Sequence, residues 1–222
     1  MIDRAAEMEA VADQVLICQK CDLSKTRTKA VPGYGDINAE ILLIGEGPGF
    51  HEDKQGLPFV GRSGDYLDKL LAMIGLNRKQ VFITNVVKCR PPENRDPTPD
   101  EILACKPYLD TQEMMIDPMI IVTLGRFSMA RYFPGGKITQ IHGKPKFDER
   151  VAYYPLFHPA AVLRNPTLQE TMAQDVMRIP QIIEEVKKRR AASENNGDST
   201  PEQADSSELP KSGGSPTQLS MF

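Results

Sequence analysis

Four cysteines constrain this chain more than any other feature. Cys18 and Cys21 form a C-x2-C pair, and after 67 further residues Cys89 and Cys105 form a C-x15-C pair. Four thiols in that pattern read as one four-ligand site, so the fold must bring the N-terminal pair back against the second pair. Gln19 and Lys20 make the short pair polar between its thiols, which argues against unrelated core cysteines. No apolar run approaches the roughly 20 residues that span a bilayer, and Met1-Ile2-Asp3-Arg4 lacks the basic and apolar regions of a signal peptide. The expected compartment is therefore the cytoplasm, where thiols stay reduced and metal is favoured over disulfides. Four cysteinates accept either structural zinc or a [4Fe-4S] cluster. A zinc ribbon usually brings two C-x2-C knuckles and only one is present, so the cluster suits the spacing better while both stay open.

Four short runs rich in β-branched or aromatic residues read as buried strands: Glu40 to Gly45, Val81 to Val87, Met119 to Gly125 and Ala152 to His158. Helical patterns lie between and after them. Asp65 to Ile74 places Leu67, Leu70, Leu71 and Ile74 on one face, with Ser63 as the expected N-cap and Gly75 as the C′ glycine. Pro99 to Met115, Arg126 to Tyr132, and Leu168 to Arg190 with an interruption near Pro180 complete the set. Near-continuous apolar strands alternating with helices predict a three-layer α/β/α domain on a central four-stranded, mostly parallel sheet. Ligands of such sheets bind beyond the carboxyl ends of the strands. Three strands end in distinctive text there: GEGPG after the first, TNVVKCRPP at the second and HPAA at the fourth.

The expected division is a catalytic domain over 1–192 and a disordered acidic tail over 193–222. The tail carries five acids against one lysine, a net charge of −4, which leaves 1–192 at only +1 and without a global nucleic-acid footprint. Local clusters, Lys25-Thr26-Arg27-Thr28-Lys29 and Lys187 to Arg190, offer contacts to phosphates. The tail composition cannot bury enough apolar surface to offset its ordering entropy, yet it ends Gln218-Leu219-Ser220-Met221-Phe222. An apolar, aromatic-terminated pentapeptide on a polar tether resembles the peptide by which bacterial replication and repair proteins dock on the sliding clamp, with Gln218, Leu219, Met221 and Phe222 as its contacts.

The four-cysteine pattern, GEGPG at 45–49, GLPFVGRSG at 56–64, TNVVKCRPPENR at 84–95 and HPAAVLRNP at 158–166, in this order and at these intervals, resemble the family 4 uracil-DNA glycosylases, iron-sulfur enzymes of bacteria and archaea. The resemblance runs from about Cys18 to Arg190. It implies hydrolysis of the bond between uracil N1 and the deoxyribose C1′, after the nucleotide is flipped out of the DNA, and an abasic product. Cys18, Cys21, Cys89 and Cys105 would then hold the cluster. Asn85 would read the base, since its amide offers a donor and an acceptor to the O4 and N3–H edge, and Phe59 would stack on it. His158, turned by Pro159, would donate to the developing charge on uracil O2. Gly47 and its neighbours would let backbone approach the base. Glu46 would position water and support the cationic sugar, although family 1 glycosylases carry that aspartate where Gly47 stands. Glu52 would help exclude the thymine methyl, because Gly49 stands where family 1 uses a tyrosine. His51 lies close enough to GEGPG to line the same pocket.

Leu163 or Arg164 would fill the space left by the flipped base. The segment Arg90 to Arg95 lacks the histidine through which one subfamily of this fold bonds to the abasic sugar, so a turnover enzyme is expected, acting on single- or double-stranded uracil-containing DNA. The rival reading is a non-catalytic iron-sulfur DNA-binding or clamp-associated protein of the same fold. The joint presence of Glu46, Asn85 and His158 argues against it, because a binding-only descendant needs none of the three.

Overall fold

The computed structural model describes residues 3–196. In chain order its elements are α1 (Arg4–Ile17), α2 (Leu23–Thr26), β1 (Tyr34–Gly35), β2 (Ile41–Gly45), α3 (Phe50–Gln55), α4 (Arg62–Met73), β3 (Phe82–Asn85), α5 (Pro99–Ile116) and β4 (Ile120–Leu124). Then follow α6 (Arg126–Ala130), α7 (Ile138–Ile141), β5 (Lys146–Phe147), β6 (Ala152–Leu156), α8 (Pro159–Arg164), α9 (Gln169–Met177) and α10 (Ile179–Asn196). The strands form one sheet in the order β1-β3-β2-β4-β6-β5. Its inner four are parallel and its two edges antiparallel. The expected four-stranded sheet is thus corrected to a six-stranded mixed one. The edge strands are two residues long, a length that carries no periodicity and leaves little exposed edge to pair with another chain.

β2 to β4 and β3 are buried at every position, as befits strands covered on both faces. One core unites Ile41, Leu43, Ile83, Val122 and Tyr154 with α4, α8, α9 and α10. The other joins Leu42, Ile44, Phe82 and Ile121 to α1 and α5. Helix α1, which periodicity did not reveal, buries Met8, Val11 and Val15 and leaves Leu16 and Ile17 exposed. Arg4 ties it down by donating to the carbonyls of Ile37 at 2.9 Å and Ile116 at 3.0 Å. This packing carries the Cys18 end of α1 across to α5.

Two helix boundaries differ from expectation. Helix α4 starts at Arg62 with Gly61 as its N-cap, not Ser63, because the chain enters at φ +100°, a conformation that favours glycine. Gly75 does stand past its end in a left-handed conformation, with Leu76 N–H bonded to Leu71 O. The terminal helical stretch divides at Arg178, giving α9 and α10, with Pro180 in the first turn of the second helix where its missing N–H is tolerated. No helix among the described residues is long and apolar enough to cross a membrane.

Candidate active site

The chain runs outward from β2 to β3 on one side and from β2 through β4 to β6 on the other, so the sheet has a switch point between β2 and β4. A cleft of about 680 Å³ opens beyond the carboxyl ends there, and all four parallel strands reach it: Glu46 after β2, Asn85 at the end of β3, Gly125 after β4 and His158 after β6. Gly47, Glu52, Phe59 and Arg164 line it too. Of the candidate residues for base, sugar and duplex, Leu163 and His51 do not; Leu163 is partly buried on α8. His51 is exposed, packs against Phe50 and Gly61, and does not line the cleft.

Asn85 is 2% exposed, and its side-chain Oδ1 has no hydrogen-bond partner. Leaving such an acceptor unpaired costs about 1–3 kcal/mol, so a buried orphan at a cleft marks a place for a ligand donor. A Cβ on Gly45 would lie 2.3 Å from that oxygen and 2.8 Å from the Phe59 ring, so glycine is what lets the two side chains meet. Phe59 is buried with φ +50°, a strained conformation for an aromatic residue. Arg78 holds it there, donating to the Phe59 carbonyl at 2.9 Å while it grips Asp68. Gly64 leaves room for the same carbonyl, which a Cβ would meet at 1.7 Å.

The His158 ring stacks beside Phe59 with centroids 5.6 Å apart and planes at 29°. His158 is also the N-cap of α8, where its Nδ1 accepts from Ala160 N–H at 3.1 Å. That contact leaves Nδ1 unprotonated and puts the proton of the neutral ring on Nε2. Burial, aided by the positive Arg164, pushes the imidazole down to about 4, so the ring is neutral over the ordinary pH range. Glu46 moves the other way. Burial and then Asp96 raise its carboxyl above the usual range, while Arg126 and Arg164 pull it back. Glu52 has both oxygens engaged, accepting from Gly49 N–H at 3.1 Å and Val60 N–H at 3.0 Å. Its carboxylate fastens the GEGPG turn to the Phe59 segment while Glu52 lines the cleft.

Arg126 and Asp96, which sequence reasoning missed, line the cleft and form an exposed ion pair with each other. The signal available was position alone: Gly125-Arg126 follows the third parallel strand, at the same strand end as the other site residues. Asn94 and Arg95 also line the cleft, from the segment after Cys89. Arg95 grips the buried Glu101, which accepts from Thr98 N–H in a capping box at the start of α5.

Cys18, Cys21, Cys89 and Cys105 line a second, separate cavity between the end of α1, the chain after β3 and α5. Cys89 lies in the loop beyond β3, which ends at Asn85, not on a strand end. N–H groups already point at three of the sulfurs: Arg27 to Cys89 at 2.9 Å, Lys88 to Cys105 at 3.2 Å and Lys20 to Cys18 at 3.5 Å. Burial pushes the Cys105 thiol up to about 11 and raises Cys89 as well. The four-ligand expectation is met in part. The thiols share a cavity, yet among the described residues no three Cys, His, Asp or Glu side chains are assembled to hold a metal ion. The clamp-peptide residues Gln218, Leu219, Met221 and Phe222 lie outside the described residues.

The chain matches the model of the uracil DNA glycosylase superfamily over residues 32–178. It is 48% identical over 185 residues to the type-4 uracil-DNA glycosylase of Sulfurisphaera tokodaii, covering 79% of this chain and 84% of that protein. The enzymes of the same name from Saccharolobus solfataricus and Archaeoglobus fulgidus are 45% and 43% identical, each over 79% of this chain and over 86% and 92% of their own lengths.

Proposed function

Because the chain belongs to the uracil-DNA glycosylase superfamily and hydrolyses the N-glycosidic bond of deoxyuridine in DNA, we propose that Asn85, Phe59, His158 and Glu46 divide that work in the cleft. The unpaired Asn85 Oδ1 carries this reading. Its oxygen accepts from uracil N3–H, its NH₂ donates to O4, and Phe59 stacks on the base. The bond from N1 to C1′ breaks with its electron pair going to the base, leaving a uracil anion and a sugar of oxocarbenium character. The neutral His158 donates from Nε2 to O2 of that anion and need not change its own charge. As a carboxylate, Glu46 supports the cationic sugar and orients the water that adds to C1′. The water oxygen becomes the abasic hydroxyl and its released proton neutralises the uracil anion. The enzyme is monofunctional: it stops at the abasic site, the first product of base-excision repair. Arg164, exposed at the cleft rim, is better placed than Leu163 to enter the duplex.

The four cysteines fit a [4Fe-4S] cluster by donor chemistry. They are four thiols around one cavity with N–H donors aimed at three sulfurs. A cluster bound there would supply covalent ties among α1, the loop after β3 and α5, and the excision step draws no electrons from it. A cluster-specific absorbance that disappears in Cys105→Ala together with thermal stability supports this role. Zinc without iron or sulfide in the purified protein contradicts it. The reducing cytoplasm suits such thiols, and the terminal peptide suits a sliding clamp. Deleting 218–222 should abolish clamp binding and leave excision of a short oligonucleotide unchanged; equal clamp affinity without the peptide would refute the docking role.

The reaction itself is tested with a labelled oligonucleotide carrying one uracil, treated in EDTA and then with alkali. Alkali-dependent cleavage at uracil and not at thymine is expected. No cleavage by cluster-loaded protein would return the chain to the binding-protein reading.

A further inference from the structure

Lys88 is 1% exposed, and among the described residues its ammonium pairs with no carboxylate. Its three protons instead meet three neutral acceptors: Thr84 Oγ1 at 2.5 Å, the Asn85 carbonyl at 2.8 Å and Gln112 Oε1 at 2.7 Å. The acceptors are fixed in turn. Gln112 Nε2 donates to Pro32 O at 2.7 Å, and Thr84 Oγ1 lies 3.0 Å from Gln112 Oε1 and 3.2 Å from Pro32 O, with one proton to give. A buried charge without a counterion costs several kcal/mol, and a methionine would fill the same volume without that cost. Breaking a local rule of this kind is the signature of a site where position matters more than stability.

The Asn85 carbonyl is what the ammonium holds. Asn85 is the last residue of β3 and the last in register with β2, opposite Gly45. The next N–H groups, of Val86 and Val87, bond back to Gly45 and Glu46 at 3.0 and 3.1 Å, so the chain stays against the GEGPG turn. The Asn85 carbonyl leaves that ladder for the interior, where Lys88 takes it. Rotation of this peptide would swing the Asn85 side chain; the Val86 N–H bond to Gly45 opposes it from the β2 side and Lys88 on the carbonyl opposes it from the interior. Lys88 also meets the second cavity: its N–H donates to Cys105, its carbonyl accepts from Val31 N–H at 2.8 Å, and Cys89 follows it in the chain.

We propose that Lys88 is a positioning residue for base recognition, fixing the Asn85 peptide from behind so that the amide faces the cleft. This rests on the reading that Asn85 binds uracil. The test compares full-length Lys88→Met, the double variant Lys88→Met/Gln112→Leu, and Asn85→Ala. It measures excision, inhibition by free uracil, and affinity for an oligonucleotide containing an abasic site. The double variant also removes the Gln112 amide oxygen that Lys88→Met alone would leave unpaired, so it separates packing from positioning.

Both Lys88 variants should need about tenfold more uracil for half inhibition and lose kcat/KM by a similar factor, the order expected for one misplaced hydrogen-bonding group. Abasic-site affinity should be unchanged. The double variant should regain melting temperature lost by the single one without regaining uracil inhibition. Recovery of wild-type excision and uracil inhibition by the double variant would reduce Lys88 to a packing role and overturn the proposal. If Asn85→Ala weakens uracil inhibition and Lys88→Met does not, the Lys88 proposal fails and the Asn85 reading stands. If Asn85→Ala leaves uracil inhibition intact, both fall.

Discussion

The cleft beyond the sheet and the cavity between α1 and α5 are built from the same strand end, yet on opposite principles. The cleft keeps polar groups unsatisfied and backbone strained: Asn85 Oδ1 lacks a partner, Phe59 sits at φ +50°, and Glu46 is raised by burial. In the thiol cavity, three of the four sulfurs already accept N–H groups, and Cys89 and Cys105 are buried. A site that must release its ligand stores unmet interactions, whereas a site that holds the fold together satisfies them. Lys88 stands between the two and is bonded to both.

That contrast predicts that cleft substitutions change rate more than stability, and that thiol substitutions do the reverse. The largest effect of the first kind after Asn85 is His158→Ala. It should lower kcat for uracil excision on the order of 10²–10³-fold, the usual consequence of removing one donor to a developing anion, with a melting temperature lowered only by the few degrees that loss of the α8 N-cap costs. A loss below tenfold in single-turnover kinetics would take the donor role from His158. Gly45→Ala comes next. Its methyl would lie 2.3 Å from Asn85 Oδ1, so uracil excision should fall at least about tenfold as the amide is displaced; unchanged kcat/KM would show that the amide has more latitude than the geometry allows.

The pH dependence sharpens the comparison within the cleft. Burial raises Glu46, so the acid limb of kcat/KM should follow Glu46, lie above the ordinary glutamate range and flatten in Glu46→Gln. His158 should add no limb above pH 5, because its folded value is about 4. For stability the sign is opposite to that of a paired histidine. Between about 4 and 6.5 the unfolded chain binds the His158 proton and the folded chain does not, so stability rises with pH through that window. His158→Ala should remove this part of the slope in denaturant titrations, and an unchanged slope would mean that the ring is not buried as described. The smallest effect on excision belongs to the other site. Cys105→Ala should lower the melting temperature by several degrees, the scale of a few kcal/mol in a domain of this size, while kcat/KM measured well below the transition stays within a few-fold of wild type.

What the sequence disclosed follows from where its signals are strong. The four parallel strands are largely apolar and flanked by turn residues, and α4 and α5 carry clear stripes or caps. Edge strands of two residues have no period to detect. Helix α1 was hidden because alanines separate its buried Met8, Val11 and Val15, and exposed Leu16 and Ile17 blur the stripe. Ser63 is a good N-cap by composition, but the entry angle at Gly61 decided the start of α4. The strand-end rule located Glu46, Asn85 and His158, which share the cleft. It passed over Arg126, which follows a strand whose ending carries no distinctive text. Glu52 was read as a group that excludes the thymine methyl; that its oxygens also tie Gly49 to Val60 depends on which N–H groups reach it, and spacing does not encode that. Nor could spacing show that the Asn85 amide is unpaired, since that depends on Gly45, Phe59 and Lys88 closing around it.

The central claim is that this unpaired amide reads uracil. Its most direct test is single-turnover excision by wild type and Asn85→Ala on matched oligonucleotides carrying uracil or thymine at one position, at enzyme concentrations that saturate the DNA. Asn85→Ala should slow uracil release on the order of 10³-fold, the range seen when a buried group that reads a polar substrate is removed, with DNA affinity and melting temperature retained. Uracil release by Asn85→Ala at the wild-type rate would contradict the account.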